Sequence, residues 1–496
     1  MKKWNYRDSL AFLALLPLFF LFHNYVDFYP IVSLNAILLS ALLYLTVAVL
    51  LTFIFKLLLR SSRKASLFVF LLLTLEFFYG ALQDTIRNAF ADSFLNRYSF
   101  QLSLIGLFFL SCFFYLRRKN FDPGKAIRFL NTLLPLLILI DLVQWGIKIK
   151  KTGGNETANR LLITNGNNSS PDIYFILADG YSGSTALNKY FNYDNSGFEN
   201  ALRSRGFYVA DSSFSNYNFT IFSVASYLNL DQLPVRVFFE GYKDLPLAFQ
   251  TIRKNQTAAF LGKKGYDIFN YSIFDLDKFP TPLTKTLLKF DKSPLYSQTF
   301  SFRVLRDLGY HLSVFTGTKK TNPEDLFTDL NNNVLADSLT RKASQADNSK
   351  PKFVYTHLLM PHWPYYFDSM GNRVSIEHLK EEAHGDPARY ISYLKYANKK
   401  LLSLADEIRA TNKRPFVMVI ISDHGCRDRI SLEGTGNDQC LNLAAVYLPD
   451  SNYSGFYKGI TGINFMRLVM NKTFGQQLPL IKDSSTLISA DENLLR

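Results

Sequence analysis

The first 150 residues contain five apolar stretches, roughly Leu10–Phe22 (or as far as Phe28), Ile31–Phe55, Ser66–Leu82, Leu102–Leu116 and Phe129–Ile147. Five such runs in so short a length would outgrow any soluble core, so they predict five membrane-spanning helices. A helix needs about 20 residues to cross about 30 Å of hydrocarbon. Ile31–Phe55 is long enough outright, while the first, third and fourth runs need flanking residues to complete a span.

The loops between the runs set the orientation. Lys2, Lys3 and Arg7 precede the first run, Lys56, Arg60, Arg63 and Lys64 lie between the second and third, and Arg117, Arg118, Lys119, Lys125 and Arg128 follow the fourth. The alternate loops hold no Lys or Arg, or only Arg87 and Arg97 offset by Asp84 and Asp92. Basic loops stay cytoplasmic. The N-terminus is therefore expected inside and everything after Ile149 outside, although Lys148, Lys150 and Lys151 run slightly against this. No small-x-small cleavage site follows at Phe22–Asn24, so the first run is expected to be retained. Glu76 and Asp141 fall within apolar runs. Acids there usually face the bundle interior, and a packing role is expected in preference to a headgroup or proton site.

The net charge of +14 invites a nucleic-acid reading, but residues 1–150 carry 16 Lys and Arg against 7 Asp and Glu. Much of the excess sits between apolar runs rather than on a folded domain, so no nucleic-acid partner is expected. The stretch 151–170, KTGGNETANRLLITNGNNSS, reads as a linker. The expected division is thus a five-helix transmembrane domain at 1–150, the linker at 151–170 and an extracytoplasmic domain at 171–496.

Beyond Pro171 the texture changes. Asp172–Leu177, Phe353–Leu359 and Phe416–Ile421 are continuous apolar runs with turn signals after them, and Leu443–Leu448 resembles a fourth. Such runs suit strands buried on both faces. Tyr390–Ala410 has apolar residues at helical spacing. Strands alternating with helices predict an α/β domain with a central mixed, mostly parallel sheet. Chemistry then collects at the carboxyl ends of the strands, where Asp179, Asp423 and His424 lie. Thr281–Lys350 yields only helices and loops. Cys426 and Cys440 are spaced for an optional disulfide, and Cys112 falls in the fourth apolar run.

Asp423 and His424, adjacent at a strand end with Gly425 to turn the chain, can face one ion. Asp179 offers another carboxylate, and the alternative for it is a turn residue. Thr220 lies in NYNFTIFSVASYLNL. Asn218 is expected to N-cap a helix starting near Phe219, which puts Thr220 in the first turn, where free backbone N–H groups face an anion. Two carboxylates, an imidazole and a hydroxyl suit one divalent metal, Mn²⁺ or Zn²⁺.

The motifs PDIYFILADGYS, NYNFTIFSVASYLNL, YTHLLMPHWPY and VIISDHG occur in the order seen in the alkaline phosphatase superfamily. The chain most resembles its sulfatase-like membrane branch, which includes lipoteichoic acid synthases and the phosphoethanolamine and phosphoglycerol transferases. That resemblance implies five spans followed by an extracytoplasmic catalytic domain of alkaline phosphatase/sulfatase type. It implies Thr220 as nucleophile and metal ligand, with Asp179, Asp423 and His424 completing the metal site. His362, in Pro-His-Trp-Pro, takes the position that contacts the substrate phosphate or leaving group. His357 reads as a core histidine. Thr220 departs from the Cys or Ser that sulfatases convert to formylglycine, which weakens sulfate-ester hydrolysis. Between Thr220 and Asp423 the pattern D-x-x-x-H occurs at Asp307-Leu-Gly-Tyr-His311; one metal is expected, with His357, His362 or His384 as further candidates for a second.

The expected activity is transfer of a phospho-headgroup from a membrane phospholipid donor to an envelope glycan or lipid through a phospho-threonine. The alternatives are a phosphodiesterase or sulfatase-like hydrolase with the same site, and a non-catalytic membrane scaffold. Asn218-Phe219-Thr220 is an N-glycosylation sequon. A glycan there would obstruct the nucleophile, which favours a bacterial cytoplasmic (inner) membrane, crossed several times by the chain.

Overall fold

In the computed structural model the described residues are 9–29, 32, 34–90, 93–118, 120–153, 162, 170–233, 245–284, 293–305, 307–308, 327–347, 349–381, 386–427 and 436–488. The chain divides into two compact units, one from Met1–Gly154 with Leu288–Thr321, the other from Asn155–Leu287 with Asn322–Arg496.

The first unit is built on five helices: α1 (Phe12–Asp27), α2 (Leu34–Leu59), α3 (Ser62–Ala89), α4 (Tyr98–Arg117) and α5 (Gly124–Gly153). Four of them, α2 to α5, are long and apolar enough to cross a membrane, and α1 is a shorter apolar helix. Helix α3 begins where the Ser61 side chain accepts the Lys64 N–H, the usual N-cap bond. Pro17 and Pro135 lie inside α1 and α5. Membrane helices tolerate such breaks because neighbours and side chains satisfy the freed backbone groups. Polar contacts pin α1 to α5 in parallel. Phe12 N–H donates to Asn131 Oδ1 at 2.7 Å, His23 Nδ1 lies 3.0 Å from Asp141 Oδ1, and Lys148 Nζ donates to Val26 O at 2.5 Å.

Part of the stretch that shows only helices and loops in sequence enters this unit. Gly80 N–H donates to Gln298 O at 2.8 Å, and a Cβ at Gly80 would lie 2.7 Å from Gln298 Cα, so only glycine permits the approach. Ser301 donates its N–H and hydroxyl to Glu76 at 3.1 and 2.5 Å. The Arg303 guanidinium, only 2% exposed, makes two parallel 2.8 Å bonds to Asp84 and donates Nε–H to Ser297 O at 2.7 Å. Glu76 and Asp141 thus serve different contacts rather than pairing with each other.

The second unit is an α/β domain. Its elements begin with β1 (Asp172–Ala178), α6 (Ser184–Phe191), α7 (Ser196–Ser204), β2 (Tyr208–Val209) and α8 (Thr220–Asn229), and its later strands are β3 (Asp267–Tyr271), β4 (Lys352–Leu358), β5 (Phe416–Ile421) and β6 (Ala444–Tyr447). The sheet order is β2-β6-β5-β1-β4-β3. The β1–β4, β1–β5 and β3–β4 pairs are parallel, and the β5–β6 and β2–β6 pairs antiparallel. Every residue of β1, β4 and β5 is buried, which is why these strands read as unbroken apolar runs. The helix Pro387–Thr411 starts with Asp386 accepting the Arg389 N–H at 3.1 Å and proline in its first turn. It buries Tyr390, Tyr393, Leu394, Leu401 and Ile408.

Two expectations are corrected. Asn218 does not cap α8: Phe219 holds that position with no side-chain cap. The Asn218 amide instead donates to Gln439 Oε1 and accepts the Ile488 N–H. Cys426 and Cys440 are buried thiols not joined in the optional disulfide. The expected linker falls mainly on residues outside those described, with α5 running through Gly153. His384 also lies outside the described residues.

Candidate active site

The parallel register brings three carboxyl-terminal strand ends side by side. Leu177 on β1 faces His357 on β4 and Ile421 on β5. Asp179 follows β1 directly, and its N–H still donates to Leu358 O at 2.9 Å, so the carboxylate is fixed at the sheet edge. Gly180, at φ +69°, turns the chain away, in a conformation that glycine adopts without a Cβ penalty. The Gly180 N–H then donates to Asp423 Oδ1 at 3.0 Å, as does the His424 N–H.

These bonds leave one oxygen of each aspartate bare. Asp179 Oδ2 accepts from His357 Nε2–H at 3.1 Å, while Asp179 Oδ1 and Asp423 Oδ2 are buried without a hydrogen-bond partner. Buried polar atoms are nearly always paired. Both bare oxygens face His424 Nε2, at 3.9 Å from Asp179 Oδ1 and 3.3 Å from Asp423 Oδ2. His424 Nδ1–H donates to Gly425 O at 2.7 Å. That bond fixes the tautomer and leaves the Nε2 lone pair for a ligand. Thr220, the first residue of α8, places Oγ1 3.3 Å from the same Nε2. Among the described residues Asp179, Asp423 and His424 form the one group able to hold a metal, with ligand atoms within 4.8 Å of one another. Hard oxygens with one imidazole fit a divalent ion.

Electrostatics favour the ligand forms. Burial alone would raise the Asp179 carboxyl, but His362, His357 and His424 together hold it well below the usual carboxylate range. Burial pushes the His424 imidazole below its ordinary value, with Arg427 adding to the effect and Asp423 opposing it. The neutral imidazole is the form that ligates metal.

His424 also lines a shallow cleft, together with Gly180, His362, Trp363, Tyr390 and Arg427 among others. His362 packs its ring over Gly180 and donates Nδ1–H to Trp363 O at 2.6 Å, which leaves Nε2 as an acceptor. Tyr390 OH donates to Gly180 O and accepts the Ser182 N–H, tying the long helix to the cleft wall. Thr220, Asp179, Asp423 and His424 are therefore brought together, and His362 lies on the same cleft. Sequence reasoning missed Arg427; His357, read as a core histidine, is fully buried, with its ring satisfied by Asp179 Oδ2. Ser223, a second hydroxyl one helical turn beyond Thr220 on α8, is buried and donates its O–H to Tyr217 O at 2.8 Å.

Comparison with protein families places this architecture. A family model described as Sulfatase matches residues 192–492, and the chain belongs to that family. Among solved structures it is similar to the C-terminal periplasmic domain of EptC from Escherichia coli in complex with Zn, at 14% identity and TM-score 0.38, covering 62% of this chain and 84% of that one. The same domain of the phosphoethanolamine transferase EptC from Campylobacter jejuni is 14% identical at TM-score 0.36, covering 62% and 91%. The integral membrane lipooligosaccharide phosphoethanolamine transferase A from Neisseria meningitidis is 11% identical at TM-score 0.36, covering 98% of both chains. A comparison with curated proteins found no match.

Proposed function

We propose that this chain is a membrane-anchored, metal-dependent transferase. It moves a phospho-headgroup of phosphoethanolamine or phosphoglycerol type from a lipid donor to an envelope glycan or lipid. The observation that carries this reading is the convergence of Thr220 Oγ1 with the bare oxygens of Asp179 and Asp423 on His424 Nε2. Asp179, Thr220, Asp423 and His424 would hold one divalent ion, Mn²⁺ or Zn²⁺, which supplies Lewis-acid polarisation and lowers the pKa of the hydroxyl.

Thr220 Oγ1 attacks the phosphorus of a phosphodiester. The bond from phosphorus to the diacylglycerol oxygen breaks as the bond to Thr220 forms, leaving the phospho-headgroup esterified to Thr220 and releasing diacylglycerol. Thr220 loses one proton and the leaving oxygen gains one, with His362 Nε2 positioned on the cleft to carry it. Backbone N–H groups at the start of α8 face the developing charge. An acceptor hydroxyl then attacks the phospho-threonine and restores the threonine.

The domain plan is a transmembrane part at 1–150, a linker at 151–170 and a catalytic part at 171–496, with the catalytic part outside a bacterial cytoplasmic membrane. Protease added to intact spheroplasts is expected to digest the catalytic part, and a C-terminal reporter active only in the cytoplasm would overturn the topology. The chemical reading is tested by incubating the full chain with a headgroup-labelled phospholipid and digesting in acid. A labelled peptide at Thr220, chased onto an added glycan or lipid, supports transfer. Chase into water alone assigns a phosphodiesterase.

A further inference from the structure

Arg427 lines the cleft with His362 and His424. Its guanidinium carbon lies 4.4 Å from the centroid of the Phe219 ring, the residue that precedes Thr220 and caps α8. Several arginines of the same unit are matched to acids, Arg203 to Asp211, Arg205 to Asp406 and Arg341 to Asp337 and Glu407, while Arg373 and Arg409 lie over Phe327 and Tyr447; Arg427 differs from these last two in lining the cleft. Among the described residues Arg427 has no such acid. An aromatic face holds a guanidinium by its plane and leaves its N–H edge free to fork onto an anion.

Charge balance gives this cation a purpose. Asp179 and Asp423 present two negative charges beneath the cleft, and one divalent ion would only neutralise them. An anionic substrate therefore meets no net attraction unless another cation is present. Arg427 adds a single positive charge, which turns that balance into a net attraction for an anion such as a phosphodiester.

We infer that Arg427, stacked on Phe219, is the anion-binding residue of the cleft and holds a non-bridging oxygen of a phosphodiester monoanion in front of Thr220. This deepens the transferase reading and rests on it for the position of the reacting phosphorus. Binding needs no turnover, so it can be judged separately.

The test uses the full chain in detergent carrying Thr220→Ala, with glycerophosphoethanolamine, a soluble phosphodiester, as probe and titration calorimetry as readout. Arg427→Met is expected to weaken binding about tenfold or more, the scale of a lost charge-assisted bond, and to flatten its dependence on salt. Arg427→Lys should recover part of the affinity, because the charge survives without the planar fork. Phe219→Leu should fall between the two. Metal content should stay unchanged in all of them, and the same ranking should appear after chelation. Binding in Arg427→Met within twofold of the parent overturns the inference, as does a parent that fails to bind the diester. If Arg427→Met does not fold, Arg427→Lys decides the matter, with unchanged affinity counting against. Should the chain without Thr220→Ala prove equally active with it, the nucleophile reading fails while the binding series still judges Arg427.

Discussion

The contacts of Glu76 and Arg303 in the helical unit and the strand-end acids of the sheet unit use polar groups in opposite ways. In the helical unit every donor position of Arg303 that is described meets an acceptor, and Glu76 takes both donors of Ser301. In the sheet unit Asp179 and Asp423 each give one oxygen to protein donors and keep the other bare. Both units contain acids in apolar surroundings, so composition does not separate them. A bare oxygen is not enough to mark a ligand site, since Asp141 Oδ2 in the helical unit is also buried without a partner; at Asp179 and Asp423 two bare oxygens converge on one imidazole nitrogen.

The largest effect expected from breaking this contrast is at Thr220. Thr220→Ala should lower turnover by about a thousandfold or more in steady-state assays, since removing a covalent nucleophile leaves only binding and positioning. Thr220→Ser should keep partial activity, and Ser223→Ala should leave it largely intact. Next comes the metal. His424→Ala should strip most of the bound divalent ion, measured by metal analysis of folded, purified chain, whereas Asp84→Ala should leave metal content unchanged. A His424→Ala protein that keeps its metal would remove His424 from the ligand set.

Asp84→Ala tests the saturated side. It strands the Arg303 guanidinium and should cost about 2–3 kcal/mol, the scale of lost bonds to a charged group, seen as a lower unfolding midpoint. His357→Gln should weaken metal affinity about tenfold by freeing the Asp179 carboxylate, the usual size of a lost orienting bond. No change on competition with a chelator would return His357 to a packing role.

The smallest expected effect is on pH. The folded-state pKa of His424 is depressed by burial, so its neutral form persists below the ordinary value of about 6.5. Metal retention should hold through pH 6.5 and fall only as pH drops through the depressed value. The unfolded chain binds the proton first, so the contribution of His424 to stability is full above about 6.5 and is lost on acidification. Metal loss that begins above pH 6.5 would contradict this sign.

Strands β1, β4 and β5 are legible in the sequence because strands buried on both faces must be apolar throughout, and Asp179, Asp423 and His424 stand out as the polar residues that interrupt them. His357 is not legible in the same way. Its meaning depends on β4 lying beside β1, a pairing with Asp179 across 178 residues of sequence that no local pattern records. Asn218 has the chemistry of a cap, yet long-range partners at Gln439 and Ile488 take its amide. Arg427 follows a motif without belonging to it, and only the Phe219 ring shows where it lies. The return of the chain to the helical unit around Gln298 and Arg303 hinges on a single glycine at position 80 within an apolar helix, which sequence cannot tell from an ordinary helical glycine.

Helix α1 has 16 residues. At 1.5 Å per residue it is about 24 Å long, shorter than the roughly 30 Å of hydrocarbon that its neighbours can cover. Where α1 crosses, the bilayer beside it must pucker inward by several ångströms, at a modest elastic cost per ångström. Its C-terminal end carries His23 and Asp27, which would draw water and headgroups into the dimple. A lipid standing in thinned, wetted bilayer has less of its acyl chain to uncover when its phosphate is lifted toward an aqueous site. A helix this short, if it spans, would thin and soften the bilayer around itself.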